Sequence, residues 1–160
     1  MTSKPFTTCL WFDSQGEEAA QYYTSIFKNS RIDGVYRYTE AGPGPEGAVM
    51  TVNFELNGQR FVALNGGPQY SFTPAISLVV ECADQAEVDY YWDRLTEGGM
   101  EIACGWLRDK YGLSWQIVPT VFLEMITDPD QATVKRVTEA MFTMKKFDLE
   151  QIERAYAGDD

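Results

Sequence analysis

Histidine is absent from this chain of 160 residues. Without imidazole the protein has no side chain that titrates near neutrality unperturbed, and it lacks the commonest transition-metal ligand. Any acid, base or metal-holding group must therefore be a carboxylate, a thiol or an amide. Cysteine is scarce. Cys9, Cys82 and Cys104 are odd in number and widely scattered, which argues against a disulfide framework and for a reducing compartment, so a cytoplasmic protein is expected. No apolar run approaches the length of a membrane span, and the N-terminus MTSKPFTTCLWF has neither a long hydrophobic region nor a small-residue cleavage site. Neither a membrane anchor nor a secretory leader is expected. Positive charge is also in short supply: 13 Lys and Arg face 24 Asp and Glu, and the net charge of −11 repels a phosphate backbone or an anionic membrane over most of the exterior. Nucleic acid and membrane are thereby excluded as expected partners.

What is present is apolar and repeated. With 44% hydrophobic and 14% aromatic residues the chain can fill one sizeable core, and its length predicts a single domain over 1–160. The stretch LWFDSQGEEAAQYYTSIF from Leu10 returns in outline as LVVECADQAEVDYYWDRL from Leu78, with Tyr22/Tyr90, Tyr23/Tyr91 and Phe27/Leu95 all holding the offset 78 − 10 = 68. Near the end of each copy a turn introduces a strand, Asn57-Gly58 before QRFVAL and Tyr111-Gly112 before LSWQIV, and there the offset is 112 − 58 = 54. The second copy is thus 68 − 54 = 14 residues shorter in its middle, as a trimmed loop between unchanged elements would make it.

Each copy reads as strand, helix, strands. FTTCLWF, residues 6–12, is β-branched and aromatic and stops at Asp13. Ser14 with Glu17 forms a capping box for a helix that buries Ala19, Tyr23, Ile26 and Phe27 and ends near Asn29. RIDGVYRYT and AVMTVNFEL are strands either side of the Gly/Pro loop AGPGPEG, and Asn57-Gly58 is a hairpin turn into RFVAL. After the crossover NGGPQYSFTP, AISLVVEC is the next strand, and Asp84 with Glu87 caps a helix that buries Val88, Tyr91, Trp92 and Leu95. A strand near Ile102 to Leu107 and the strand LSWQIV follow. Beyond Pro119 helices take over, one capped at Asp128 before Pro129 and carrying Val134, Val137, Met141 and Met144, and one opened by Asp148 with Gln151. The fold class is α+β: two tandem βαβββ modules forming a curled mixed sheet, about 5–66 and 74–119, with a C-terminal helical extension over about 120–160.

The strings LWFD, SIFKNSRI, EAGPGPEG, VMTVNFEL, FVALNGGP, VDYYWDRL, CGWLRDKYGLSWQIVPT and AMFTMKKFD together resemble PhnB-like proteins of the vicinal-oxygen-chelate superfamily, which includes glyoxalases, extradiol dioxygenases and bleomycin-resistance proteins. The resemblance covers nearly the whole chain. It implies paired modules whose sheets curl into a cup, often completed as a homodimer, and a small-molecule ligand. Members of this group often carry a demethylubiquinone methyltransferase-like label, which suits the sequence poorly. GPGPEG and NGGP are interrupted by proline and lead into strands, whereas a nucleotide-type cofactor needs a glycine-rich turn between strand and helix.

Metal-dependent members of the superfamily hold one ligand on the first and one on the last strand of each module, places that fall near Thr8, Ala63, Ala75 and Gln116. Two alanines donate nothing, so the resemblance implies a cup with no metal or cofactor. Alternation along the strands would point Thr8, Leu10, Phe12, Gln116 and Val118 inward, either as pocket lining or as plain core. Gln116 stands out because a buried amide needs a partner. Cys104, followed by Gly105 and Trp106, is either a reactive thiol or an inert buried one. Asn65, Gln69 and Tyr70 fall in the crossover, as ligand-orienting rim residues or as surface loop. Glu17-Glu18 and Asp128/Asp130 lie at helix starts, where capping accounts for them. The ligand-binding set expected from sequence is Thr8, Leu10, Phe12, Asn65, Tyr70, Cys104, Trp106 and Gln116. The expected function is binding of a small organic molecule with no reaction specified. The other readings are a lyase, isomerase or dioxygenase of the same fold, working through a displaced metal or a perturbed cysteine or carboxylate, and a purely structural dimer.

Overall fold

Strand, helix and three further strands follow one another twice, and three helices close the sequence. The computed structural model describes residues 5–159, so Met1 to Lys4, part of the leader-free reading, and Asp160 lie outside the described residues. The elements are β1 (Thr8–Phe12), α1 (Gly16–Ile26), β2 (Arg31–Arg37), β3 (Val49–Leu56), β4 (Gln59–Asn65), β5 (Ser77–Cys82), α2 (Gln85–Thr96), β6 (Met100–Glu101), β7 (Trp106–Arg108), β8 (Ser114–Pro119), α3 (Thr120–Met125), α4 (Gln131–Phe142) and α5 (Leu149–Ala157). They form two four-stranded mixed sheets, ordered β1-β4-β3-β2 and β5-β8-β7-β6, which is the α+β pair of βαβββ modules read from the sequence. The chain divides into two compact units, one ending at Ser71 and the other beginning at Phe72.

In the first unit β1 runs parallel to β4, and the Asn57-Gly58 turn, with both residues at positive φ, folds β4 back on β3. Ala19 and Ala20 bring α1 close to this sheet, and Tyr23 stacks on Phe54 at 6.4 Å between ring centroids, with Phe54 on Phe61 at 5.3 Å. Each such ring contributes about 1.5–3 kcal/mol through removal from water. The N-terminus of α1 departs from the capping box expected of Ser14. The cap position is Gln15, which gives no side-chain bond, and the Gly16 N–H donates instead to Asn65 Oδ1 at 2.7 Å, so the cap comes from the end of β4, 49 residues away.

In the second unit α2 buries Val88, Trp92 and Leu95, with Tyr91 only half-buried, and the Asp84–Glu87 box forms as read: Asp84 accepts from the Glu87 N–H at 2.9 Å and Glu87 accepts from the Ala83 N–H at 2.9 Å. The strand expected at Ile102 to Leu107 is broken: β6 ends at Glu101 and β7 starts at Trp106. Between them Cys104 and Gly105 take φ of 58° and 78°, which no strand accommodates. The start of α4 also moves. Asp128 Oδ1 accepts the Asp130 N–H at 2.8 Å in a local turn and Pro129 has no N–H to give, so Asp130 is the cap, accepting from the Ala132 N–H at 3.1 Å. Asp148 caps α5 by accepting from the Gln151 N–H at 3.0 Å, as read.

The β7–β8 hairpin is organised by one carboxylate. Asp109, 2% exposed, accepts from the Tyr111 N–H at 2.9 Å, the Leu113 N–H at 3.1 Å and the indole N–H of Trp115 at 2.8 Å. Replacing Asp109 by Asn turns an acceptor oxygen into a donor facing Trp115, and replacing it by Ala leaves three donors unmet. Urea unfolding should show losses of about 1–3 kcal/mol for Asp109→Asn and more for Asp109→Ala, with an unchanged denaturant slope. Wild-type stability in both variants would contradict this account of the hairpin.

Candidate functional site

Alternation along a strand sends successive side chains to opposite faces. In the first sheet Thr8, Leu10 and Phe12 register with Phe61, Ala63 and Asn65. This is the helix side: Phe54 and Phe61 meet Tyr23, and a Cβ on Gly16 would lie 3.2 Å from the Ala63 side chain. Leu10 and Phe12 are buried there against α1, a correction to their expected inward aim. The cause is that β1 is apolar on both faces, so alternation alone does not tell which face meets the helix. The residues on the opposite face are Cys9, Trp11, Val62 and Leu64. Asn65 is spent on structure, donating from Nδ2 to the Val49 carbonyl at 3.1 Å while capping α1. Tyr70 packs edge-on against Trp11 at 5.0 Å, and the Trp11 indole donates to the Gly67 carbonyl at 2.9 Å.

In the second sheet Leu107, Trp115 and Ile117 turn to α2 and are buried. The alternate residues Trp106, Gln116 and Val118 face the other way, with Ser77 and Val79 from β5. Three of the expected residues, Cys104, Trp106 and Gln116, come together here in a cavity of about 550 Å³. The helices complete it with Phe122, Leu123, Ile126, Met141 and Phe142. Of these, Met141 lay in the helical stripe read from sequence; the others carried no signal that separates pocket from core. The lining has no charged side chain. Its fixed polar group is Gln116, whose amide Nε2 donates to Ser77 Oγ at 2.9 Å, leaving Oε1 to accept from a ligand. Ala75, expected beside Gln116, sits in an exposed turn before β5.

Cys104 is held on this wall by the backbone. Its N–H donates to the Met144 carbonyl at 2.9 Å and that of Gly105 to the Lys145 carbonyl at 2.7 Å. Gly105 is required, because a Cβ there would lie 2.6 Å from the Phe147 ring and 2.8 Å from the Ile117 carbonyl. Beyond the pocket, Lys146 pairs with Asp89 at 2.6 Å; hydrogen bonds from Lys146 and then Gln85 hold the Asp89 carboxyl below its usual range.

A second cavity, also about 550 Å³, lies in the first unit between the β1–α1 turn, the loop after β2 and the end of β4. It is bordered by Asp13, Glu17, Tyr38 and Gln69. Its best-placed amide, Asn65, is already committed to α1, so the second-unit pocket has the freer polar anchor.

The donor set does not fit a divalent cation. The repeat offsets match Cys9 to Ser77 (77 − 9 = 68) and Val62 to Gln116 (116 − 62 = 54), so the open strand positions hold one thiol, one hydroxyl, one amide and an alkyl group. Among the described residues no three of His, Cys, Asp and Glu are grouped to hold a metal. No helix is long and apolar enough to cross a membrane.

A family model described as 3-demethylubiquinone-9 3-methyltransferase matches residues 4–118. A PhnB protein from Bacillus cereus, bearing the same methyltransferase name, is 39% identical, with a TM-score of 0.67 over 73% of this chain and 100% of its own. The fold is shared with protein PA1353 from Pseudomonas aeruginosa, at 16% identity and TM-score 0.61 over 73% of this chain and 98% of that one. It is shared too with the fosfomycin resistance protein FosX from Listeria monocytogenes, at 15% identity and TM-score 0.51 over 74% and 94%. No curated protein matches the chain.

The thiols differ in their surroundings. Burial first, then the Glu87 and Asp84 carboxylates, pushes Cys82 up to about 12, while Cys104 opens on the pocket and Cys9 is exposed. Since the thiolate is the reactive form, a disulfide reagent at pH 8 should modify Cys9 and Cys104 in the native protein and Cys82 only on unfolding. Peptide mapping after a native pulse checks this, and early labelling of Cys82 would refute it.

Proposed function

Because the chain belongs to the 3-demethylubiquinone-9 3-methyltransferase family, PhnB-like proteins of the vicinal-oxygen-chelate superfamily, we propose that it binds a neutral, largely apolar small organic molecule in the second-unit pocket. The observation that carries this reading is a cavity of about 550 Å³ walled by aromatic and aliphatic side chains with one amide acceptor aimed into it. That size and composition suit a small-molecule site. A phosphonate or other anion would lose its hydration to an apolar wall with no lysine or arginine to replace it, which makes charged ligands unfavourable. A hydroxyl or N–H on the ligand, in contrast, finds Gln116 Oε1.

The family name does not fix a reaction. Both strand-to-helix connections, residues 13–15 and 83–84, lack a glycine-rich turn, and the Gly/Pro segments 42–47 and 65–68 lead elsewhere, so the chain's own geometry gives a methyl-donor nucleotide no cradle. We place the protein in the cytoplasm as a homodimer. Its three free cysteines suit a reducing compartment, and the exposed Val35 and Tyr36 on edge strand β2 offer apolar surface to a second copy. Sedimentation equilibrium should give twice the chain mass, and a monomer at micromolar concentration would remove the dimer from this reading.

The pocket is tested with N-phenyl-1-naphthylamine, a neutral fluorophore with one N–H. Its emission should rise on binding, and Gln116→Leu should weaken binding about 2–10-fold, the effect of about 0.5–1.5 kcal/mol for one hydrogen bond. Methylphosphonate should not compete. Unchanged affinity in the variant, or displacement by methylphosphonate, would overturn the assignment.

A further inference from the structure

We propose that the C-terminal helices are an added cap that sets which ligands the family's sheet accepts, an inference that rests on the pocket reading above. The family match stops at residue 118, and the Bacillus cereus relative is wholly matched within 73% of this chain, so 100 − 73 = 27% of the chain has no counterpart in it. The pocket straddles that boundary. Val79, Cys104, Trp106, Gln116 and Val118 come from the family sheet and its loop, while Phe122, Leu123, Ile126, Met141, Phe142 and Phe147 come from beyond it.

The two walls differ in chemistry. The sheet wall carries the amide and the thiol, whereas every residue named from the extension is apolar. Polar recognition therefore belongs to the part shared with the family, and size and shape selection to the part this chain adds.

The cap is fixed to the sheet at several separate points. The connector from α4 to α5 accepts the Cys104 and Gly105 N–H groups through the Met144 and Lys145 carbonyls. The Gln85 side chain donates to the Phe147 carbonyl at 3.1 Å and accepts from the Leu149 N–H at 2.9 Å. The Phe147 ring lies 4.8 Å from that of Phe122 and fills the space that Gly105 leaves open. Thr120 Oγ1 donates to the Cys82 carbonyl at 3.1 Å, and Arg136 Nε donates to the Ala155 carbonyl at 3.0 Å, joining α3 to β5 and α4 to α5. A helical layer tied down in this way is a wall of defined position, and its side chains limit the ligand's length. At the mouth stands Phe142, which is 68% exposed and so can be truncated without opening the core.

The test compares two neutral fluorophores of different size, N-phenyl-1-naphthylamine and the larger Nile red, on the full chain. Phe142→Ala and Met141→Ala should shift the affinity ratio toward Nile red by about tenfold, the scale on which a hydrophobic pocket senses a change of one or more methylenes. Gln116→Leu should weaken the amine probe and leave the size dependence of the pocket in place. Thermal melts of the Phe142→Ala protein should match wild type, which separates selectivity from unfolding. An unchanged ratio in both cap variants, with both probes still bound, overturns the cap proposal and leaves the pocket standing. Failure of wild type to bind either probe overturns the pocket and the cap together.

Discussion

The site depends on a buried carboxylate that does no chemistry. Asp109 gathers two backbone N–H groups and an indole N–H within six residues and so fixes the register of β7 against β8. Register decides faces, because a slip of one residue would exchange them all. With Asp109 in place, Leu107, Trp115 and Ile117 go to α2 while Trp106, Gln116 and Val118 go to the pocket. The most family-specific string in the sequence, CGWLRDKYGLSWQIVPT, is therefore chiefly a device for holding a hairpin, and the recognition surface is its by-product.

Duplication explains the parts and divergence explains the site. At the start of the first helix Gly16 relies on the Asn65 side chain. The offsets place Asp84 opposite Gly16 (84 − 16 = 68) and Pro119 opposite Asn65 (119 − 65 = 54). Proline offers no side-chain acceptor, and Asp84 makes the cap locally from the helix itself. The same hydrogen-bonding need is thus met from the strand in one copy and from the helix in the other. In the second copy the strand end is free to turn into α3 at Thr120, and that turn is what brings the extra helices onto the open face of the sheet.

Much of this was legible in the residues. Local signals worked where the interaction is local: the Asp84–Glu87 box, the Asp148 cap, the Asn57-Gly58 turn and the repeat itself. They failed where the partner is distant or the pattern is degenerate. Ser14 and Glu17 match a capping box, yet the acceptor that Gly16 uses is 49 residues away. Leu10 and Phe12 alternate with Cys9 and Trp11, and with apolar residues on both faces nothing in β1 says which set meets the helix. For β8 a single polar residue in an apolar strand broke that degeneracy, and Gln116 was placed on the open face for the right physical reason. The stripe Val134, Val137, Met141 and Met144 hid a division of labour, since Val137 and Met144 are buried whereas Met141 lines the cavity.

A fold shared at 14–16% identity does not transmit chemistry. A FosX structure from Listeria monocytogenes holds manganese and a dihydroxypropylphosphonic acid, a cation and an anion that select for each other. In this chain the strand positions that could face such a pair carry alkyl, hydroxyl, thiol and amide groups, and the wall across from them carries rings and aliphatic chains. Removing a charged ligand's hydration there would cost several kcal/mol with nothing charged to offset it, whereas an apolar ligand gains about 25 cal/mol for each Å² it hides. The sign of that balance, set by side chains and not by the sheet beneath them, is what turns a scaffold compatible with metal and phosphonate toward neutral molecules.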